Sequence, residues 1–377
     1  MRPETACIHA VRNTTHSTGA VAVPIYQSAT FAHPAVGQST GYEYARTQNP
    51  TREHVEKLLA ALEGGADAMA FSSGMAAVAT MMELFSPGDE IIATDDLYGG
   101  SIRLFNHVSR KNGLKMLYLD TSDLPALRAA VTGGTKAIFI ESPTNPMMKV
   151  TDIAAVKDMI CGREILLIVD NTFLTPYFCS PLALGADISL HSGTKYLAGH
   201  NDTLAGFLIA KSPETAAKLR FLQNTIGAVL SPFDAFLVTR GIKTLALRLE
   251  KAQENALTVA RWLRRQPKVA AVHYAGLPDH PAYDLSLRQG RGFGAMISFS
   301  VDRGETARAI LNKTELILFA ESLGGTETLI TYPVTQTHLD VPEAERAARG
   351  IDEKLLRLSV GVEAVEDIIL DLERAMK

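Results

Sequence analysis

The stretch Ile165-Leu166-Leu167-Ile168-Val169-Asp170-Asn171-Thr172 joins five consecutive apolar residues to a polar end that carries a carboxylate. An apolar run of this length, rich in Ile, Leu and Val, is typical of a strand buried on both faces of a parallel sheet. In open α/β sheets, ligands bind beyond the carboxyl ends of the strands. The stretch therefore predicts an α/β protein with Asp170 at its ligand-binding edge.

A second strand brings a lysine towards the same edge. Ile188-Ser189-Leu190-His191 runs into Ser192-Gly193-Thr194-Lys195, so Lys195 follows Asp170 by 195 − 170 = 25 residues. Taken alone, a lysine at a turn is most often a solvated surface residue, and an aspartate there is most often a turn or cap residue. Together they predict a site where the amine forms an imine with an aldehyde cofactor and the carboxylate partners a protonated ring nitrogen.

Short apolar runs alternate with helical patterns around these two strands, which predicts βαβ units and a mostly parallel sheet. A helix is expected to begin with Thr51 as its N-cap and to stop at Gly64-Gly65. The pattern from 213 to 265 is mainly helical, and the chain closes with an amphipathic helix near 363–376. Strands are predicted at 68–71, 90–94, 114–119, 136–140, 165–169, 188–191, 204–209, 269–274, 295–301, 316–319, 329–332 and 356–360.

The length of 377 residues exceeds that of one typical domain. We predict an N-terminal arm over residues 1–50, a large α/β domain over 51–240 and a smaller C-terminal α+β domain over 241–377. The arm is rich in Pro, Gly, Gln, Thr and Asn with little periodicity, so we expect it to be extended.

Composition excludes several classes of function. An apolar fraction of 46%, a charged fraction of 21% and a net charge of −4 indicate an ordinary globular protein without a basic field for nucleic acid or anionic lipid. No apolar run approaches a membrane span, and the first residues contain no apolar signal core. Three cysteines and the pair His191 and His200 have no partners at metal-ligand spacing. We expect a cytoplasmic protein with no metal, nucleic acid or membrane partner.

A separate segment, Phe71-Ser72-Ser73-Gly74-Met75, ends a predicted strand in small residues and opens a helical run. Helix N-termini bind anions through free backbone N–H groups, so the segment predicts a phosphate cradle, although an ordinary Ser cap has the same pattern. No Walker motif occurs, which disfavours nucleoside triphosphate hydrolysis.

Several segments, in this order and spacing, resemble the Cys/Met-metabolism family of pyridoxal 5'-phosphate (PLP)-dependent enzymes. The resemblance runs from about residue 8 to residue 372, and its segments are Tyr44-Ala45-Arg46, Asn49-Pro50-Thr51-Arg52, Ser72-Ser73-Gly74-Met75-Ala76, Tyr98-Gly99-Gly100, Glu141-Ser142-Pro143-Thr144-Asn145-Pro146, Asp170-Asn171-Thr172 and Ser192-Gly193-Thr194-Lys195-Tyr196. It implies PLP as cofactor and the PLP-dependent transferase fold type I, with a mostly parallel seven-stranded sheet.

The resemblance also implies roles for individual residues around the cofactor. Lys195 is expected to carry PLP and to act as the base at the substrate Cα, Asp170 to partner the ring nitrogen, and Tyr98 to stack on the ring and shuttle a proton. Gly74 and Met75 are expected to bind the phosphate through backbone N–H groups. The remaining cofactor contacts are expected from Ser192 and Thr194 to the phosphate and from Asn145 to the ring hydroxyl side.

Further residues are expected to bind the substrate or a neighbouring subunit. The resemblance implies that Tyr44 and Arg46 reach the phosphate in a neighbouring subunit, so that the enzyme is a homotetramer built from two active dimers. Arg357 is expected to hold the substrate α-carboxylate, as its planar guanidinium suits. Arg103 resembles the residue for a distal carboxylate, and Glu321 resembles the acidic position that attracts a distal amino group. Ser322, next to Glu321, is also expected to bind the substrate.

Within the family, segments 330–338, 199–202 and 226–230 resemble bacterial cystathionine γ-synthases that also act as O-acetylhomoserine thiolyases. The resemblance therefore implies γ-replacement on an O-acylated homoserine by cysteine or sulfide. Ser101 and Glu43 depart from the synthase pattern, so cystathionine γ-lyase stays open, with methionine γ-lyase and cystathionine β-lyase less favoured. An aminotransferase or a non-catalytic protein of the same fold fits the combined residues less well.

Overall fold

The computed structural model describes residues 1–11, 18–339, 341 and 343–377. Residues 12–17, which belong to the predicted N-terminal arm, lie outside the described residues. Among the residues that the structure describes, no helix has both the length and the apolar character required to cross a membrane.

Seven strands form the large sheet, in the order β1-β7-β6-β5-β4-β2-β3. Their bounds are β1 Asp67–Phe71, β2 Glu90–Thr94, β3 Lys115–Leu119, β4 Thr135–Glu141, β5 Leu166–Asp170, β6 Ile188–Ser192 and β7 Gly206–Ala210. Neighbouring strands are parallel except β7, which is antiparallel to both β1 and β6. The predicted mostly parallel seven-stranded sheet is confirmed.

Helices cover both faces of the large sheet. They are α1 Pro3–His9, α2 Pro50–Glu63, α3 Gly74–Met82, α4 Gly99–Leu104, which continues into a π-helix over Phe105–Ser109, α5 Leu124–Ala130, α6 Ile153–Met159, α7 Thr175–Phe178, α8 Pro213–Ile226 and α9 Pro232–Ile242. Alternate residues of β1 enter two different cores: Ala68 and Ala70 pack with α2, whereas Met69 and Phe71 pack with α3. Burial on both faces explains why the central strands are continuous apolar runs, whereas the edge strand β3 is partly exposed.

Five further strands form the small sheet, in the order β10-β11-β12-β9-β8. The C-terminal elements are α10 Leu245–Leu263, β8 Val269–His273, α11 Tyr283–Gln289, β9 Met296–Val301, α12 Gly304–Lys313, β10 Leu318–Phe319, β11 Leu329–Thr331, α13 Glu343–Ala348, β12 Leu355–Ser359 and α14 Val365–Met376. All twelve strands fall at the positions that the sequence predicts, within a few residues. The boundaries at residues 50 and 240 stay a prediction.

Two details near the N-terminus differ from expectation. Thr51 is not the N-cap of α2: the cap is Asn49, whose side chain accepts from the N–H groups of Thr51 at 3.0 Å and Arg52 at 3.3 Å. Pro50 can occupy the first turn because that turn needs no N–H. The hydroxyl of Thr51 instead bonds the backbone of Pro24 and Tyr26. The start of the arm is also not extended, since residues 3–9 form α1, with Cys7 buried.

The C-terminal helix α14 is held by a buried carboxylate. Asp371 accepts hydrogen bonds from the backbone N–H groups of Glu315, Leu316 and Ile317 at 2.9–3.2 Å. The apolar face of the same helix, formed by Ile368, Leu372 and Met376, packs into the hydrophobic core. Helix α14 thereby orders the chain that leads into β10.

We expect Asp371→Ala to lower the free energy of unfolding by about 1–3 kcal/mol, because three backbone N–H groups, of which that of Ile317 is buried, lose a charged acceptor. Equilibrium unfolding in urea, followed by circular dichroism, measures the change. The matched control is Glu373→Ala on the same helix, which removes an exposed pair with Lys377 and is expected to cost no more than about 0.5 kcal/mol. Equal losses in the two variants would contradict this role for Asp371.

Candidate active site

A cavity of about 340 Å³ lies where the carboxyl ends of β4, β5 and β6 meet residues of the small-sheet region. The polar strand ends that the sequence singles out thus face one enclosed space. Among the predicted site residues, those that line the cavity are Gly74, Met75, Tyr98, Asn145, Asp170, Ser192, Thr194, Lys195, Glu321, Ser322 and Arg357.

Three predicted site residues do not line this cavity. Tyr44 and Arg46 lie next to each other, with the guanidinium carbon 5.6 Å from the ring centroid. Arg46 also donates to the backbone and side-chain oxygens of Asn224 at the end of α8. Arg103 lies on an exposed face of α4. The structure therefore does not bring these three to the cavity of their own chain.

The amine of Lys195 is enclosed and has a defined partner. Its Nζ donates to the hydroxyl oxygen of Ser322 at 2.8 Å. Burial, and next the positive charge of Arg357, lower the pKa of Lys195 to about 8, while Glu321 acts in the opposite direction. A lysine with this pKa is partly neutral near pH 7–8, as a nucleophile or proton acceptor must be.

Ser322 meets Lys195 from a backbone conformation that non-glycine residues rarely adopt. Its φ is +88°, in the left-handed region. The same residue offers its carbonyl oxygen to Nη2 of Arg357 at 2.9 Å. The strained turn thus links half-buried Lys195 to buried Arg357, and strain of this kind is typical of functional sites.

Asp170 ends β5 and is ordered by its own turn. One carboxylate oxygen accepts from the N–H of Thr172 at 3.0 Å and from its hydroxyl at 2.5 Å. The same hydroxyl oxygen accepts from the N–H of Ser192, which fixes β5 against β6. Burial raises the pKa of Asp170, whereas the two bonds from Thr172 and the nearby His191 oppose that rise.

His191 itself points away from the cavity. Its Nε2 lies 2.6 Å from a carboxylate oxygen of Glu63, and both side chains are fully buried. The Glu63 carboxylate also accepts from Ser189 and Asn171. Among the described residues, no group of three or more His, Cys, Asp and Glu side chains is arranged to hold a metal ion.

The opposite end of the cavity is suited to an anion. Ser73 caps α3 by accepting from the N–H of Ala76 at 3.1 Å, and the next residues, Gly74 and Met75, line the cavity. First-turn N–H groups have no partner within a helix and carry partial positive charge. A Cβ on Gly74 would come within 3.1–3.3 Å of Ser192, so glycine leaves this approach open.

Arg357 is a buried cation that forms no ion pair with the residues that the structure describes. It is 2% exposed, and its guanidinium donates to Asn145, to the carbonyl of Ser322 and to Thr331 at 2.9–3.1 Å. Within the described part of the chain no carboxylate forms an ion pair with it, and its Nε has no hydrogen-bond partner. Burial lowers its pKa to about 10. A buried guanidinium in this state favours binding of an anion.

One acidic residue that lines the cavity is not among the site residues predicted from the sequence. Glu141 ends β4, is 5% exposed, lines the cavity and accepts from the N–H of Tyr98 at 3.0 Å. Burial, and next the charge of Asp170, raise its pKa well above the ordinary value. The signal that finds Asp170, a carboxylate directly after an apolar strand, is also present at Glu141.

These groups fit PLP. The donor set contains an amine of lowered pKa for an aldehyde, a carboxylate for a ring nitrogen, a half-exposed aromatic ring at Tyr98 and a helix N-terminus for a phosphate. They face one cavity from different elements, and Gly74 keeps the anion end free of a side chain. The cofactor is thus compatible with the residues that are present.

Comparison with known proteins agrees with this fit. The chain is 46% identical over 377 residues to a cystathionine γ-lyase of Bacillus subtilis, covering all of both chains. It is 46% identical to a cystathionine β-lyase of Coxiella burnetii, covering 99% of this chain and 97% of the relative. It is 48% identical over 359 residues to a cystathionine γ-synthase of Haemophilus influenzae, covering 95% and 93%.

The fold has close counterparts among solved structures. The crystal structure of cystathionine γ-lyase from Lactobacillus plantarum complexed with L-serine matches with a TM-score of 0.97 and 45% identity, covering 100% of this chain and 98% of that one. The sequence profile described as "Cys/Met metabolism PLP-dependent enzyme" matches residues 4–377. This protein belongs to the Cys/Met-metabolism family of PLP-dependent enzymes, and its fold is that of the type I PLP-dependent transferases.

Proposed function

We propose that this enzyme catalyses γ-replacement on an O-acylated homoserine, in which the sulfur of cysteine or sulfide takes the place of the acyloxy group at Cγ. With cysteine the product is cystathionine, an intermediate of methionine and cysteine transsulfuration. The observation that carries the proposal is the position of Glu321, on the wall between the active-site cavity and an adjoining cavity of about 740 Å³.

A carboxylate at this position suits a substrate with a second amino group. Glu321 is close enough to Lys195 and Arg357 to oppose the lowering of the pKa of both. An ammonium group that enters from the adjoining cavity would meet this negative charge before reaching the lysine. Cysteine carries such a group and sulfide does not, so Glu321 distinguishes the two acceptors.

The other end of the amino-acid substrate is assigned to Arg357. Its buried guanidinium, without an anionic partner among the described residues, suits the α-carboxylate of the homoserine ester. The hydrogen bonds to Asn145, Ser322 and Thr331 fix the plane of the guanidinium. Binding at this point orients the substrate Cα towards the cavity that Lys195 lines.

Lys195 is assigned the proton transfer at Cα. Bound PLP supplies an electron sink for the negative charge that develops there, and Asp170 is assigned to keep the ring nitrogen protonated. Nζ of Lys195 accepts the proton, for which its lowered pKa is suited, and Ser322 holds the amine in the cavity. Tyr98, at the start of α4, is assigned the proton of the thiol or of the leaving group.

Cystathionine γ-lyase is the second candidate. Relatives with this name and relatives named γ-synthase match the chain at similar identity. Glu321 and Arg357 would serve cystathionine as a substrate as well as they serve it as a product. The alternatives differ in the reaction that dominates, since γ-elimination releases cysteine, 2-oxobutyrate and ammonia from cystathionine.

The proposed assembly is a homotetramer of two active dimers in the cytoplasm. Arg46 is held outside the cavity of its own chain by hydrogen bonds to Asn224, and Tyr44 lies against its guanidinium, so both are assigned to a neighbouring subunit. Their assigned partner is the cofactor phosphate of that subunit.

Product analysis separates the candidate reactions. We expect incubation of the PLP-loaded enzyme with O-acetylhomoserine plus cysteine to yield cystathionine, and incubation with O-acetylhomoserine plus sulfide to yield homocysteine, as measured by liquid chromatography and mass spectrometry. Lys195→Ala serves as the inactive control. Predominant 2-oxobutyrate from cystathionine, with little replacement product, would favour the γ-lyase, and predominant pyruvate would favour a β-lyase.

The role of Glu321 predicts a difference between the two acceptors. We expect Glu321→Gln to raise KM for cysteine about tenfold, because an ammonium loses a charged partner worth roughly 1–2 kcal/mol. KM for sulfide, which carries no ammonium group, is expected to change less than about threefold. Steady-state kinetics with both acceptors on one enzyme preparation measure the ratio. An equal change for the two acceptors would remove Glu321 from acceptor recognition.

A further inference from the structure

The carboxyl ends of β4 and β5 place two acids side by side. Glu141 and Asp170 are register partners in neighbouring parallel strands, so their side chains project to the same face of the large sheet. Both line the active-site cavity, and Glu141 is 5% exposed. A buried carboxylate at Glu141 and a half-buried one at Asp170 repel each other when both are ionised.

The hydrogen bonds of the two acids are unequal. Asp170 receives two bonds from Thr172, one from the N–H and one from the hydroxyl. Glu141 receives one, from the N–H of Tyr98. Donors stabilise the ionised form, so the negative charge of the pair belongs on Asp170 and the proton on Glu141.

The surrounding charges do not reverse this order. Arg357 on β12 favours ionisation of Glu141, but its guanidinium hydrogen-bonds to Asn145, Ser322 and Thr331. A third buried acid, Asp96, follows β2 and opposes ionisation of Glu141. In the described part of the chain no Lys, Arg or His forms an ion pair with Glu141. Burial raises its pKa further, as noted above.

We propose that Glu141 is a positioning residue that stays a neutral carboxylic acid, holding Tyr98 through its acceptor oxygen and leaving Asp170 as the carboxylate anion where β4 and β5 end. A protonated Glu141 avoids a second negative charge beside Asp170. Its bond to the Tyr98 N–H fixes the first turn of α4, and with it the aromatic ring that lines the cavity. The inference rests on the family's cofactor and not on which γ-reaction dominates.

Glutamine and leucine substitutions distinguish the need for a hydrogen-bond acceptor at Glu141 from the need for a negative charge there. Glu141→Gln keeps a neutral side chain with an acceptor for the Tyr98 N–H, whereas Glu141→Leu keeps much of the volume and removes the acceptor. We expect cofactor-free Glu141→Gln to bind PLP within about threefold of the unchanged protein, and Glu141→Leu to bind it about tenfold or more weakly. Equilibrium titration with PLP measures both values.

Infrared difference spectroscopy tests the proton directly. At neutral pH, the unchanged protein minus Glu141→Gln is expected to contain the C=O stretch of a protonated carboxylic acid. The control is Glu214→Gln on α8, an exposed residue whose pKa is lowered by Lys218, and its difference spectrum is expected to contain carboxylate bands instead. These spectra decide the protonation state even if Glu141→Leu does not fold. The proposal is overturned if the acid band is missing for Glu141, if Gln weakens PLP binding as much as Leu, or if Leu leaves it unchanged.

Discussion

The parallel register of β4, β5 and β6 is the constraint on which the site depends. Glu141 pairs with Asp170 where β4 and β5 end, and Asp170 pairs with Leu190, two residues before the end of β6. The hydroxyl oxygen of Thr172 accepts a hydrogen bond from the N–H of Ser192, which fixes the ends of β5 and β6 relative to each other. The turn after Ser192 then delivers Lys195 into the same enclosed space as the acids.

Burial lowers the pKa of the basic side chains in the cavity. Half-buried Lys195 and buried Arg357 both contact Ser322, and the positive charge of Arg357 helps to lower the pKa of Lys195. The substrate carboxylate can supply an anion at Arg357, while Lys195 gives up its proton more easily than a solvated lysine. Ser322, whose backbone is strained, accepts hydrogen bonds from both side chains and so positions them relative to each other.

Local sequence patterns were sufficient for the strands, because the central strands of the large sheet are buried on both faces and must be apolar. They were also sufficient to bring Asp170 and Lys195 to one edge. Local patterns did not predict that Glu141 lies beside Asp170. That pairing requires β4 and β5 to be neighbours, and strand order depends on long-range contacts. The cap at Asn49 and the helix over residues 3–9 were missed because short polar segments satisfy several local conformations equally well. The exposure of Arg103 likewise depends on how α4 packs.

The central claim is that the amine of Lys195 holds the cofactor. Borohydride reduction of the PLP-loaded protein, followed by proteolysis and mass spectrometry, tests it most directly. The account predicts one pyridoxyl group per chain, on the peptide that contains Ser192-Gly193-Thr194-Lys195, and none in Lys195→Ala. A pyridoxyl group on another lysine, or no covalent modification of a protein that binds PLP, would contradict it.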